Sequence, residues 1–409
     1  MPGESQTEVR MLNLAQRGLQ QAGVAESMRA PLLATPQLWL GARSPFGLAL
    51  PDAQPSASTM YAPRGVWLDD QRLIVCDSGN HRVLIWNQPL TAYQMPADVV
   101  LGQPSAEAEG PAAGGRGPRA GFHLPTGVIV AEGKLLVADA WHHRILVWNE
   151  VPTRSDTPPD YAIGQSDLSR VEINRGGPPA LDSLYWPYGL AWLGGRLYVT
   201  DTGNRRVLAW DGLPEGNAPA DLLLGQPTAD VHDENRGGPV AADSFRWPHD
   251  VTAVGTQLFV ADAGNHRVLR WPEPPAGDGP AASALGQQNL QTAYELPYDA
   301  QGPARLRFPY ATDSCEGVLA VADTANNRIL FWREQDAADT FAPAADVIGQ
   351  PDFAGNGENR WQAVDEETLC WPYGICFHRG TLAVADSGNN RVMLWDCRAL
   401  VDQLKQPTR

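Results

Sequence analysis

Three histidines, His81, His143 and His266, each stand immediately before an arginine in a short polar turn. Converging imidazoles of this kind can hold zinc and leave one coordination position open for water or substrate; the alternative is that each is a solvated turn residue. A second set, Arg64, Tyr188, His249, Tyr310 and Tyr373, is made of residues that each follow a proline. Three hydroxyls with one guanidinium and one imidazole can hydrogen-bond a small ligand, or fill a channel through one another and water. Trp141 and Trp361 stand in polar turns where the equivalent segments carry glycine. An indole there is either local packing or an anchor for a partner. Arg175, Arg236 and Arg360, each in an Asn-Arg motif, offer forks for carboxylate or phosphate. The chain has no glycine-rich phosphate loop, no defensible Ser/His/Asp order and no pair of carboxylates in a unique context. No catalytic residue is therefore assigned and no cofactor is implied.

These residues gain meaning from a repeat that positions them. The string around "ADSGNNRVMLW" recurs with its aspartate at Asp77, Asp139, Asp201, Asp262, Asp323 and Asp386, at separations of 62, 62, 61, 61 and 63 residues. An arginine follows five positions on (Arg82, Arg144, Arg206, Arg267, Arg328, Arg391) and a tryptophan nine positions on (Trp86, Trp148, Trp210, Trp271, Trp332, Trp395). A proline precedes each aspartate by fourteen (Pro63, Pro125, Pro187, Pro248, Pro309, Pro372). A constellation present six times is structural rather than catalytic. The aspartate is expected to accept backbone N–H groups of its turn, the arginine to return a charge-assisted bond to it, and the tryptophan to pack between adjacent sheets.

Within one unit the β-prone runs 65–68, 73–76 and 83–86 read as strands a, b and c. A run ending in Gly-Gln, such as "DVVLGQ", supplies strand d. Six units of four antiparallel strands predict an all-β chain, a six-bladed β-propeller. The last unit lacks strand d, whereas "LWLGA" near the start resembles one, and its Gly41 precedes Pro63 by 22 residues against 23 in the other gaps. Residues 38–42 are thus expected to complete the last blade and close the ring. The organisation read from this is an extension at 1–37 with a short helix around Met11, Leu12, Ala15 and Leu19, a propeller at 38–397 and a tail at 398–409. The constant length between strand d and the next strand a implies ordered loops. Their last apolar residues, Met60, Phe122, Leu184, Phe245, Leu306 and Leu369, are read as core.

Composition limits the functional classes. A formal charge of −16 opposes nonspecific binding to nucleic acid. Arg175, Arg236 and Arg360 are the one local set that could counter it. No run of 18 apolar residues spans a membrane, and the first twenty residues carry scattered charges rather than a secretory pattern. Five cysteines without a Cys-x-x-Cys pair fit reduced thiols. A cytoplasmic setting is expected.

The "VADSGNHRVLIW"-type strings with an upstream Pro-x-Gly-apolar segment resemble the NHL-repeat β-propellers over residues 38–397, although the repeats here are longer than is usual in that family. The resemblance implies the fold. Function it leaves open, since the family includes RNA-binding modules, extracellular sensors, a zinc-dependent peptidyl-hydroxyglycine amidating lyase and interaction platforms. The favoured expectation is a non-catalytic platform, monomeric by itself, that docks on another protein. The Gly-Gln variant resembles bacterial accessories of metalloenzyme systems, including nitrogen fixation. The competing expectation is a metal-dependent lyase or hydrolase acting at the funnel.

Overall fold

The computed structural model describes residues 33–42, 46–47, 50, 53–295 and 301–406. The expected helix around Met11 lies outside the described residues. The strands form six four-stranded antiparallel sheets, arranged as the blades of a β-propeller. In blade one, strands a to d are Gly65–Leu68, Leu73–Asp77, Arg82–Trp86 and Val99–Leu101. Successive innermost strands contact one another around the ring, and strand a of blade six contacts that of blade one.

The closing strand is Thr35–Leu40, antiparallel to Arg391–Asp396 of blade six, with Leu40 opposite Val392 and Thr35 opposite Asp396. It therefore begins three residues before the expected segment and stops at Gly41, whose φ of 99° turns the chain out of the sheet. The glycine that ends each other strand d plays the same part. Hydrophobic clusters lie between neighbouring blades: one joins Val66, Leu84 and Trp86 of blade one to Leu40, Cys376, Ala385 and Val392 of blade six. The six repeat tryptophans are buried in these seams, and the six loop residues from Met60 to Leu369 are buried as expected.

The repeat signature locks the loops as much as the strands. Contrary to expectation, Asp77 makes no bond to the backbone of its own turn. Its Oδ1 accepts the N–H of Tyr61, sixteen residues upstream, at 2.7 Å, and its Oδ2 accepts Arg82 Nε at 2.7 Å and Asn80 Nδ2 at 2.8 Å. Arg82 then donates to the carbonyls of Ser56 and Thr59 at 2.9 and 2.8 Å. The aspartate–arginine pair recurs in all six blades with both charges fully buried, and in blade two His142 stands in place of the asparagine, its Nδ1 2.8 Å from Asp139 Oδ2. A buried pair of this kind persists because every lone pair and proton is satisfied. The glutamine of each Gly-Gln adds a clamp: Gln103 Nε2 donates to Asn80 O at 3.1 Å and to Gly110 O at 2.9 Å.

Arg398–Lys405, in the segment expected to be a tail, forms a helix. Its Leu400, Val401 and Leu404 join the cluster of blades five and six that holds Val318, Phe331, Leu382 and Trp395. All five cysteines are free thiols and buried.

Candidate functional site

Blades meet through two short motifs on the face where the b–c turns emerge, the first at five junctions and the second at the four that carry a hydroxyl. The residue before the signature arginine sits in the left-handed region in every blade, with φ near 55°. In five of them its side chain accepts a backbone N–H from the residue preceding the next blade's proline. His81, His143 and His266 receive Leu124, Trp186 and Phe308 on Nδ1 at 3.1, 3.2 and 3.2 Å. Asn327 and Asn390 receive Trp371 and Ala62 on Oδ1 at 2.8 and 2.9 Å. In blade three an arginine, Arg205, stands there and donates to Gly203 O instead. The second motif follows the signature aspartate: Thr202 and Thr324 hydroxyls donate to the carbonyls of Pro248 and Pro372 at 2.5 and 2.6 Å, and Ser387 does the same to Pro63 across the ring closure.

His81, His143 and His266 are thus neither solvated turn residues nor gathered into one cluster. They belong to three separate junctions, and each Nδ1 is already occupied as an acceptor, which places the proton on Nε2. Among the described residues no three His, Cys, Asp or Glu side chains are placed to share a metal. Burial holds all three imidazoles neutral, with pKa values lowered to about 4.

The residues that follow the prolines do converge, at the mouth of the central channel. Tyr188 packs on His249 at 4.5 Å between ring centroids, His249 stacks on Tyr310 at 4.2 Å, and Tyr310 stacks on Tyr373 at 4.9 Å. The Arg64 guanidinium lies 4.8 Å over the Tyr373 ring. His249, with Nδ1 2.9 Å from Trp247 O, is held neutral with a pKa lowered to about 3, chiefly by burial. Burial raises Tyr310 to about 12 and Tyr188 further still. From this ring a cavity of about 260 Å³ runs along strands a to Val130, Trp192 and Leu193.

Two carboxyls in this cavity escape a reading confined to the residue after each proline. Asp250 stands where four other blades have Gly65, Gly127, Gly189 and Gly374. A side chain at Gly374 would meet Arg64 O at 2.1 Å, so the inner ring is tight and Asp250 departs from its rule. Asp250 Oδ2 accepts Thr312 N–H at 2.8 Å, and Asp313 Oδ2 accepts Phe377 N–H at 2.6 Å. Each carboxyl thereby satisfies an edge N–H of the following blade, on inner strands with no further neighbour. Burial raises Asp250 to about 8, with Asp313 adding to the shift, and burial raises Asp313 to about 6. Sequence comparison at the second and fourth positions after the proline would have exposed both.

The outer surface of this face carries exposed aromatics. Trp361 is 78% exposed and Trp141 50% exposed, and Tyr61, Tyr294 and Trp371 lie in the same loops. Trp361 has φ of 59°, in register with Gly176 and Gly237. Trp141 occupies the turn position of Gly79, Gly203, Gly264 and Gly388. Arg175, Arg236 and Arg360 are each committed to a carboxylate of their own loop, Asp182, Asp243 and Glu367 respectively. The neighbouring asparagines pair with the turn below, as Asn174 and Asn204 do through two amide bonds of 3.0 and 2.8 Å. The three arginines are thus part of the loop deck and form no open cationic patch.

No family model matches the sequence, and no curated protein matches it either. Solved structures do resemble it. A protein of unknown function from Bacteroides thetaiotaomicron aligns over 89% of this chain and 75% of its own, at 11% identity and a TM-score of 0.50. The WD40 β-propeller domain of Doa1 aligns over 88% and 96%, at 11% identity and a TM-score of 0.47. Virginiamycin B lyase from Staphylococcus aureus aligns over 89% and 99%, at 12% identity and a TM-score of 0.40. Likeness at such identity concerns architecture alone. The chain is a six-bladed β-propeller closed by its N-terminal strand. Among the described residues no helix is long and apolar enough to cross a membrane.

Proposed function

We propose that this protein is a non-catalytic interaction platform that docks another protein on the face bearing the b–c turns, with Trp361 and Trp141 as anchors. One observation carries the reading. Trp361 places a large, 78% exposed indole on a left-handed backbone that the equivalent loops give to glycine. A bulky residue there costs backbone energy and returns little burial, so folding does not account for it. Tryptophan is also the residue type most enriched at interface hot spots. The buried ion pairs and glutamine clamps hold the deck in place before docking, so little ordering entropy opposes association. The finer reading, drawn from the resemblance of the repeats, is an accessory of a cytoplasmic metalloenzyme such as nitrogenase.

The test is affinity capture from extract of the native host with wild type and with the double variant Trp141→Gly, Trp361→Gly. Wild type should retain a stoichiometric partner that the double variant loses. The Trp361→Gly change alone should leave the unfolding midpoint unchanged or slightly raised, because glycine relieves the left-handed backbone. Equal retention by both proteins would refute docking through these tryptophans. A retained partner without a metal centre would remove the metalloenzyme reading alone.

A further inference from the structure

The central channel holds features that docking on the outer face does not use. Among the residues lining its cavity Arg64 is the sole cation, and among the described residues it has no carboxylate partner. It lies close to the Tyr188 hydroxyl, yet that hydroxyl has no partner of hydrogen-bonding geometry. Tyr188 is 5% exposed and Thr312 3%. Tyr188, Thr312 and Trp67 line the cavity, and Tyr188 OH, Thr312 Oγ1 and Trp67 Nε1 are buried just beneath its surface without a partner of hydrogen-bonding geometry. Unpaired buried polar atoms are costly, and three beside one cavity are groups that a bound molecule satisfies once their side chains turn toward it. Val128, Leu190, Val251 and Ile375 supply apolar wall between them.

We propose that this cavity binds a carboxylate carried on a small apolar body, with the carboxylate against Arg64 and the tyrosine hydroxyls and the body against the aliphatic wall. The charge balance selects the class. One guanidinium compensates one negative charge, whereas a phosphate dianion would leave charge uncompensated beside a largely apolar wall. The shared positions of Asp250 and Asp313 along the wall disfavour a second anionic group for the same reason. About 260 Å³, at roughly 30 Å³ per water, admits a body the size of a benzene ring with its carboxylate. Such a carboxylate comes either from a free organic acid or from the C-terminal residue of a polypeptide. The proposal stands independently of partner docking, since none of these residues lies among the exposed tryptophans.

The experiment is calorimetric titration of the full chain with benzoate and with the tripeptide Gly-Gly-Phe, beside benzamide, the C-terminally amidated tripeptide and phenyl phosphate. At least one of the two carboxylates should bind at one site per chain, and its amide should bind roughly tenfold or more weakly. Binding by benzoate identifies a free acid as the source, and binding by the tripeptide alone identifies a polypeptide terminus. Arg64→Met, close in volume, should weaken the same probe by a similar factor. Tyr188→Phe removes a hydroxyl that lies beside Arg64 without hydrogen-bonding geometry, so it should weaken binding while moving the unfolding midpoint little; it also covers the case in which Arg64→Met fails to fold. Three results would overturn the proposal: no saturable binding of either carboxylate up to its solubility, binding indifferent to Tyr188→Phe and Arg64→Met, or phenyl phosphate binding as tightly as benzoate.

Discussion

Asp250 shows how one residue can break a sixfold rule and leave a thermodynamic trace. Its carboxyl is half-buried against the channel and bonded to Thr312 N–H, and burial raises its pKa from 3.8 to about 8. In the unfolded chain the same group loses its proton near its ordinary value. Between those limits the native state binds a proton that the unfolded state lacks, so stability present at low pH is lost as pH rises towards 8. Asp250→Asn keeps an oxygen acceptor for Thr312 N–H and cannot ionise. The variant should therefore gain on wild type progressively from about pH 4 to pH 8 and level off above. At pH 9 the gain should reach about 2–4 kcal/mol once partial exposure is discounted. Urea unfolding at a series of pH values measures it, and parallel curves for the two proteins would contradict the assignment of a raised carboxyl. Asp313 acts in the same direction over a narrower window, ending near 6.

At the scale of the elements, the junction between blades explains both what the sequence disclosed and what it hid. The offsets of proline, aspartate, arginine and tryptophan reveal the strands because each offset is a hydrogen bond or a seam contact repeated six times. The role of His81, His143 and His266 stays hidden because histidine reads alike as ligand or acceptor. The available clue was their register with Asn327 and Asn390, since an amide oxygen shares with Nδ1 the ability to accept an N–H but is a poor zinc ligand. The Trp-Pro and Phe-Pro pairs at Trp186, Trp247, Phe308 and Trp371 likewise announced an aromatic rim on blades three to six, visible only once the prolines are placed at the channel mouth. The three histidines must take up protons on unfolding below about pH 6.5, so stability falls as pH drops from there to about 4. The triple variant His81→Asn, His143→Asn, His266→Asn should keep the neutral-pH stability of wild type, because each junction retains an acceptor. Its acid limb should be shallower by about 1–2 kcal/mol per histidine replaced. Destabilisation of the triple variant at pH 8 by more than the worth of one hydrogen bond per site would show that the imidazoles do more than accept.

For the whole molecule the decisive element is the strand at Thr35–Leu40, because a propeller is a ring only if its last sheet is completed. Residues 38–42 were legible as that strand from a spacing of 22 against 23 residues, while its true start at Thr35 was not, since Pro36 cannot donate to a ladder and argues against a strand there. Removing residues 1–42 would bare the backbone of Arg391–Asp396 as a free edge and expose Val392 and Met393, which are fully buried in the closed ring. Losing the buried side chains of Trp39 and Leu40 alone withdraws about 4–6 kcal/mol of apolar burial. The truncated chain should unfold roughly 5 °C or more below wild type and associate through its open edge, as read by calorimetry and size-exclusion chromatography. A synthetic peptide spanning residues 33–42 added in excess should pair with that edge and restore much of the lost midpoint by mass action. The buried pairs Asn390 to Ala62 and Ser387 to Pro63 remain in the truncated protein and hold blades six and one in place to receive the peptide. Rescue by the peptide and failure of a version with Leu40→Asp would locate the closing energy in this one seam. A truncated chain as stable and monomeric as wild type would mean that the junction bonds close the ring without the strand.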